Sequence, residues 1–403
     1  MIQLKDICDI YDCPHTTAKD EGKGYPLVRT PNVGKGRLIL DGIHRVSEDV
    51  YNSRNARAIP EEGDLILARE APVGNVSIIM DGQRVCLGQR VVLIKPKREL
   101  VDPHFLTYYL LSAEVQHRLK NHANGAVVAH LNVSDIRNLW VTLPELEEQV
   151  AIGKILRSID DKIELNRQIN DNLEQQAQAL YKSWFVDFEP FKDGKFIDSE
   201  LGIIPEGWKI LPLSSLGTII CGKTPSKSNK DFYDGNIPFI KIPDMHNKIF
   251  VSNSEDHLSD LGMNSQRNKT IPPYSILVSC IATVGLVCIN TKVCQTNQQI
   301  NTLIPYEDSY RIYLFLFLKS LREQLITLGS GGTTTLNVNT SQFSNLKIIV
   351  PDTKSLKAFS SIAESLFQRI NNNCDTNYML SNLRDMILPK LMSGELKIND
   401  LDR

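Results

Sequence analysis

Ile152-Gly153-Lys154-Ile155-Leu156-Arg157-Ser158-Ile159-Asp160-Asp161-Lys162-Ile163-Glu164-Leu165-Asn166-Arg167-Gln168-Ile169-Asn170 is the stretch that decides how this chain is built. Steps of four and three residues from Ile152 select Ile152, Leu156, Ile159, Ile163, Asn166, Asn170, Leu173, Ala177, Leu180 and Trp184, a sustained a/d heptad seam. Adding 207 to each gives Phe359, Ala363, Leu366, Ile370, Asn373, Asn377, Leu380, Arg384, Ile387 and Leu391. Both seams are apolar towards their ends and carry two adjacent Asn layers in the middle.

An antiparallel pairing that brings the Asn layers together requires facing positions to sum to 543. It sets Asn166 against Asn377, Asn170 against Asn373, Ala177 against Leu366, Leu180 against Ala363, Ile163 against Leu380 and Trp184 against Phe359. An amide at a seam position costs stability but fixes register, because any other alignment leaves it unpaired in the core. Arg384 opposite Ile159 is the misfit and is expected to snorkel to the edge. Two independent amphipathic helices, each packed on its own domain, are the competing reading. Each helix of some forty residues would be about 60 Å long. The chain from Phe188 onward allows the pairing to form within one molecule.

Outward from the helices, the chain repeats itself. Tyr25-Pro26-Leu27-Val28-Arg29-Thr30-Pro31-Asn32 reads against Ile237-Pro238-Phe239-Ile240-Lys241-Ile242-Pro243-Asp244, an offset of 212 that drifts only to 207 by Asn132 and Asn339. Ala71-Pro72-Val73-Gly74 recurs as Ala282-Thr283-Val284-Gly285, and Leu87-Gly88-Gln89-Arg90 as Thr296-Asn297-Gln298-Gln299. Within each half come short strand-like runs: 64–68, 76–80 and 90–94, or 276–279, 286–289 and 300–304. A helix follows (103–120 or 309–328), then a Gly-containing loop, a last strand and the long helix. The expected fold is mixed α/β (α+β): two repeated domains at 1–144 and 191–351, with a spacer helix at 145–190 and a second spacer helix with a C-terminal tail at 352–403, the two helices forming an antiparallel coiled coil with pseudo-two-fold symmetry.

The chain has 403 residues, 42% hydrophobic and 23% charged, with 45 Lys+Arg against 47 Asp+Glu. That composition excludes wholesale disorder, and the longest apolar run, 312–318, is too short to span a bilayer. No secretory signal is evident at the start, so a cytoplasmic location is expected. The eight cysteines show no Cys-x-x-Cys spacing and are expected as buried thiols, with no metal site. Gly217-Thr218-Ile219-Ile220-Cys221-Gly222-Lys223-Thr224 matches a P-loop in spacing. Its Thr-Ile-Ile-Cys reads as the strand itself, and Pro225 follows where a helix should open. Ile271-Pro272-Pro273-Tyr274 lacks the side chain that a DNA amino-methyltransferase needs to accept a bond from the target amine. Paired carboxylates or a Ser-His-Asp set cannot be picked out, which points away from an enzyme.

The long helices and their flanks resemble the conserved regions of the DNA specificity subunit of Type I restriction-modification systems. The residues that carry this are Leu143-Pro144-Glu145-Leu146-Glu147-Glu148-Gln149, Ser183-Trp184-Phe185-Val186-Asp187-Phe188, Leu201-Gly202-Ile203-Ile204-Pro205-Glu206-Gly207-Trp208, Thr224-Pro225-Ser226 and Leu388-Pro389-Lys390-Leu391-Met392-Ser393-Gly394. Asp352-Thr353-Lys354-Ser355-Leu356-Lys357 departs from the pattern, lacking the Glu-Gln expected before the second helix. The resemblance implies two target recognition domains, each reading half of a bipartite site in double-stranded DNA. It implies helices that set the spacer, and two methylation subunits and restriction subunits as partners. S-adenosylmethionine would belong to the methylation subunit, with no cofactor and no catalysis in this chain. A coiled-coil scaffold holding two protein-binding domains is the alternative.

Base edges are read by Arg, Asn and Gln, and phosphates are held by Lys, Arg, Ser and Thr. The repeat loops offer Lys35, Arg37, Arg69, Gln89, Arg90 and His130 in the first half. In the second they offer Lys223, Lys241, Ser279, Gln298, Gln299, Thr333 and Thr334. Gln89-Arg90 and Gln298-Gln299 align yet differ, as domains reading different half-sites should. The net charge of −2 implies weak DNA binding by the chain alone, since phosphate contact dominates affinity.

Overall fold

A computed structural model describes residues 1–122, 130–330 and 335–398. It divides into two compact units, Met1–Leu165 with Asn377–Arg403, and Asn166–Thr376. The division cuts across the long helices Leu146–Phe185 and Thr353–Ser393, so each unit holds one mixed α/β domain and part of both helices.

In the first unit a five-stranded sheet runs Cys8–Asp12, Val91–Pro96, Leu65–Ala68, Val76–Ile78, Gly36–Arg37. All its pairings are antiparallel except the last. A three-stranded sheet places Tyr25–Val28 between Arg45–Val46 and Cys86–Leu87. The second unit repeats both orders and every strand sense. Gly217–Cys221, Ile300–Pro305, Ile276–Ser279, Val287–Asn290 and Phe250–Val251 form the larger sheet, and Tyr233–Ile240 lies between Asp256–Leu258 and Gln295–Thr296 in the smaller. The central strands Leu65–Ala68 and Ile276–Ser279 are buried throughout, which is why they read as continuous rather than alternating apolar runs. The first strand of each domain pairs with its last: Ile2–Gln3 with Trp140–Val141, and Lys209–Pro212 with Lys347–Val350. Among the described residues only the second unit adds a hairpin, Phe196–Ser199 with Gly202–Pro205.

The helix read at 103–120 is two helices, Pro103–Leu111 and Ala113–His122. Asp102 caps the first through Phe105 N (2.8 Å). Ser112 breaks the run: its backbone is extended and its hydroxyl turns back to the carbonyl of Tyr109 at 2.7 Å. The second domain breaks in the same place, at Leu321 between Arg311–Ser320 and Arg322–Gly329.

The long helices run antiparallel in each unit. In the second, Asn373 donates to Asn170 at 2.8 Å and Trp184 lies 6.0 Å from Phe359, both in the expected register. Ala177 and Ala363 are fully buried there. Asn166 and Asn377 fall in different units; the former is buried, and the latter donates to the carbonyl of Ile163 at 3.3 Å within the first. The seam is wider than an a/d reading gives. Tyr181 and Phe185 are buried, their rings 5.7 and 4.7 Å from Tyr313, because the helix packs on the domain as well as on its partner helix.

Arg384 does not snorkel. It pairs with Asp160 at 2.7 Å, and the other oxygen of Asp160 accepts from the Tyr108 hydroxyl at 2.7 Å. The corresponding positions in the second half hold Ala177, Phe367 and Phe315, with the two phenyl rings edge to face at 5.2 Å. One domain therefore docks on its helix pair through a charged pair and a hydroxyl, the other through aromatic packing. A cavity of about 880 Å³ opens beside Asp160 and Arg384, with Lys35, Lys120 and Gln116 on its walls.

Another docking contact is pH-sensitive. Arg157 of the long helix donates to His104 Nε2 at 2.9 Å. Burial, and then the Arg157 charge, hold the imidazole below its usual pKa of about 6.5. The unfolded chain therefore takes up this proton first as the pH falls. Its stabilising effect is complete above about 6.5 and is lost as pH drops through the folded value. The melting temperature should fall between pH 7.5 and 5.5, and His104→Gln, which accepts the same bond without titrating, should shrink that fall. An equal fall in wild type and variant would count against this account.

Candidate DNA interface

Three candidates of the first domain, Arg69, Arg90 and His130, converge where the central strands end. Arg69 follows Leu65–Ala68, Arg90 precedes Val91–Pro96, and Arg69 N donates to the Arg90 carbonyl at 2.9 Å. Leu131 N closes the set by donating to the Arg69 carbonyl at 3.0 Å. Arg69 itself is buried. Its guanidinium donates to the Leu131 carbonyl (2.9 Å), to Asp12 (2.8 Å) and to His130 Nε2 (2.8 Å), so it braces the interface from within. Because Arg69 can only donate, His130 Nε2 accepts and its Nδ1–H donates to Glu70 at 2.8 Å. The second Glu70 oxygen holds Arg90 at 2.8 Å.

Gln89 accepts from Thr17 at 3.2 Å, and Gln298 accepts from Thr224 at 2.8 Å. Thr17 and Thr224 stand 207 apart, the offset of the helices, so the repeat carried the signal for this duplicated pair. Asp12 and Glu70 gave no such signal, since their importance lies in side chains from distant segments. Gln299 accepts from Asn297 at 2.9 Å. Lys241 is bound to Asp256 at 2.7 Å, and that hydrogen bond raises its pKa. Ser279 is fully buried, its hydroxyl accepting from Leu286 N at 2.9 Å, which makes it part of the sheet. Arg37 pairs with Asp161 of the long helix, away from the strand ends. Thr333 and Thr334 lie outside the described residues.

Lys35 and Lys223 are exposed and have no ion-pair partner among the described residues, as have Lys19, Lys23 and Lys227. Lys223 sits next to Gln266, which donates to its carbonyl at 2.6 Å and brings Arg267 and Lys269 into its neighbourhood. The strand Gly217–Cys221 occupies the interior of the P-loop-like spacing, and no helix opens at Lys223. Gly222 has a packing role: a Cβ there would stand 2.2 Å from the carbonyl oxygen of Asn297. Among the described residues no group of His, Cys, Asp or Glu could hold a metal ion, and no helix is long and apolar enough to cross a membrane. Chemically, the guanidinium and amide groups at the strand ends are of the kind that can match base edges, and exposed lysines are of the kind that can hold phosphate.

A family model described as Type I restriction modification DNA specificity domain matches residues 1–175 and 205–386. The chain is 37% identical to the Type I restriction enzyme HindI specificity subunit of Haemophilus influenzae, across 85% of this chain and 88% of that protein. It is 29% identical to the MjaIX specificity subunit of Methanocaldococcus jannaschii, across 99% and 94%. The crystal structure of a Type I restriction-modification S subunit from M. genitalium superposes with a TM-score of 0.58 at 14% identity, covering 97% of this chain and 95% of that one, which supports the fold.

Proposed function

The chain belongs to the family of Type I restriction-modification DNA specificity subunits, and from that premise we propose that its two domains each read one half of a bipartite site in double-stranded DNA. It is a non-catalytic subunit. The long helices set the separation of the half-sites and carry the docking surface for two methylation subunits, and restriction subunits complete the assembly. S-adenosylmethionine and the flipped adenine belong to the methylation subunits. On this reading the protein works in the cytoplasm, on the DNA there.

The observation that carries this reading is a scaffold used twice with different polar side chains at the same strand ends. Two equal scaffolds with unequal lining suit two half-sites of unequal sequence. The unpaired lysines supply phosphate contacts, so binding should weaken steeply with salt. A protein-binding scaffold gives no reason for an amide to stand at the same strand end in both halves, Gln89 and Gln298, each bonded to a threonine.

The test is to map methylated adenines in DNA from cells expressing the chain with its methylation partner. The expected result is one bipartite motif with a fixed gap. A continuous motif, or methylation independent of sequence, would overturn the proposal.

A further inference from the structure

The duplication makes an internal comparison possible. Four backbone hydrogen bonds recur at the strand ends. Arg69 N to Arg90 O matches Cys280 N to Gln299 O, and Leu131 N to Arg69 O matches Val338 N to Cys280 O. Ala68 N to Asn75 O and Gly74 N to Ala68 O match Ser279 N to Leu286 O and Gly285 N to Ser279 O. On this common frame one group of side chains changes together. Asp12, Arg69, Glu70, Arg90 and His130 stand where the second domain has Cys221, Cys280, Ile281, Gln299 and Asn337. A charged chain in one domain is a neutral set in the other.

The charged chain has a direction. Its inner end is buried Arg69, bonded to Asp12 and to the carbonyl of Leu131. His130 passes the bond on to Glu70, whose side chain is 14% exposed, and Glu70 holds Arg90, whose side chain is 62% exposed. Arg90 also adopts a left-handed backbone, φ 66°, which a side chain with a Cβ takes up only at a cost of roughly 1 to 2 kcal/mol. A largely buried carboxylate, fixed from behind, thus presents one exposed guanidinium. Only NH1 is engaged by Glu70; the rest of the fork has no partner among the described residues.

We propose that Arg90 reads a guanine in the half-site of the first domain, and that Glu70 and His130 are positioning residues that hold its guanidinium for that contact. The inference rests on the specificity reading above. A guanidinium fork matches guanine O6 and N7, and a primary amide matches adenine N6 and N7. Gln299 at the corresponding position therefore assigns an adenine contact to the second domain. Fixing Arg90 in advance matters because a free arginine loses side-chain entropy on binding and serves a phosphate equally well.

The experiment uses the full chain in complex with its methylation subunits. Adenine methylation is measured over a library of sites with each half-site position varied, for wild type, Arg90→Ala, Arg90→Lys, Glu70→Gln and Gln299→Ala. Wild type should require a guanine in one half-site. Arg90→Ala should reduce that preference roughly 5- to 150-fold, the worth of one bidentate contact. Arg90→Lys should lose it as well, because an ammonium keeps the charge but not the fork. Glu70→Gln should give a partial loss at the same base, and Gln299→Ala should act on an adenine in the other half-site only. Retained selectivity at the untouched half-site shows that each variant is folded. Full guanine preference in Arg90→Lys or Arg90→Ala, or equal losses in both half-sites, would overturn the assignment. A wild-type complex without a bipartite motif would instead defeat the specificity reading itself.

Discussion

Asp160→Ala should lower the melting temperature of the first unit by roughly 6–12 °C, read by calorimetry, with the second unit little changed. Asp160 is only 11% exposed and joins the helix pair to the domain through Arg384 and Tyr108, each at 2.7 Å. Removing the carboxylate leaves Arg384 with its neighbour Asp385 alone and the Tyr108 hydroxyl without its acceptor. Breaking such a pair from one side costs about 3 kcal/mol, and a unit of this size loses roughly 2–4 °C per kcal/mol. The second half shows the remedy. Tyr108→Phe, Asp160→Phe and Arg384→Ala together copy Phe315, Phe367 and Ala177 and should recover most of the loss. If the single variant melts within a degree of wild type, the pair is a solvated surface contact.

Arg69→Ala should be as costly or more, about 3–5 kcal/mol, because Arg69 is buried and satisfies three acceptors from two separated segments. Its loss strands the Asp12 carboxylate and releases His130 from one side. Arg69→Met fills the volume without replacing a donor, so it should recover less than half. Hydrogen exchange can locate the effect. Faster exchange should centre on Val91–Pro96 and on residues 130–131, with the second domain protected as before. Uniform destabilisation of both domains would contradict the bracing role.

Helices and duplication were legible because they are periodic: a heptad seam and a near-constant offset survive without knowledge of contacts. The Asn170 and Asn373 pair followed from the cost of burying an amide alone, and the structure has it. Site residues were less legible because residue type gives the chemistry a side chain can do, not which way it faces. Arg69 and Ser279 have the right chemistry for DNA and are buried; Arg37 spends its charge on Asp161. Asp160 carried no signal in the sequence, since nothing in a one-dimensional pattern brings Tyr108 and Arg384 to it. Ser112 was hidden inside a helical run because its break depends on a local hydroxyl bond.

The pairing of first and last strands in each domain, Ile2–Gln3 with Trp140–Val141 and Lys209–Pro212 with Lys347–Val350, has an evolutionary consequence. It brings both ends of a recognition domain side by side at the helix, so the domain is a loop of chain with a narrow neck. A gene exchange with crossovers at the two end strands of one domain would replace that domain whole while leaving the helix pairing intact. New target sequences then become reachable in one recombination event, with no need for many separate point changes.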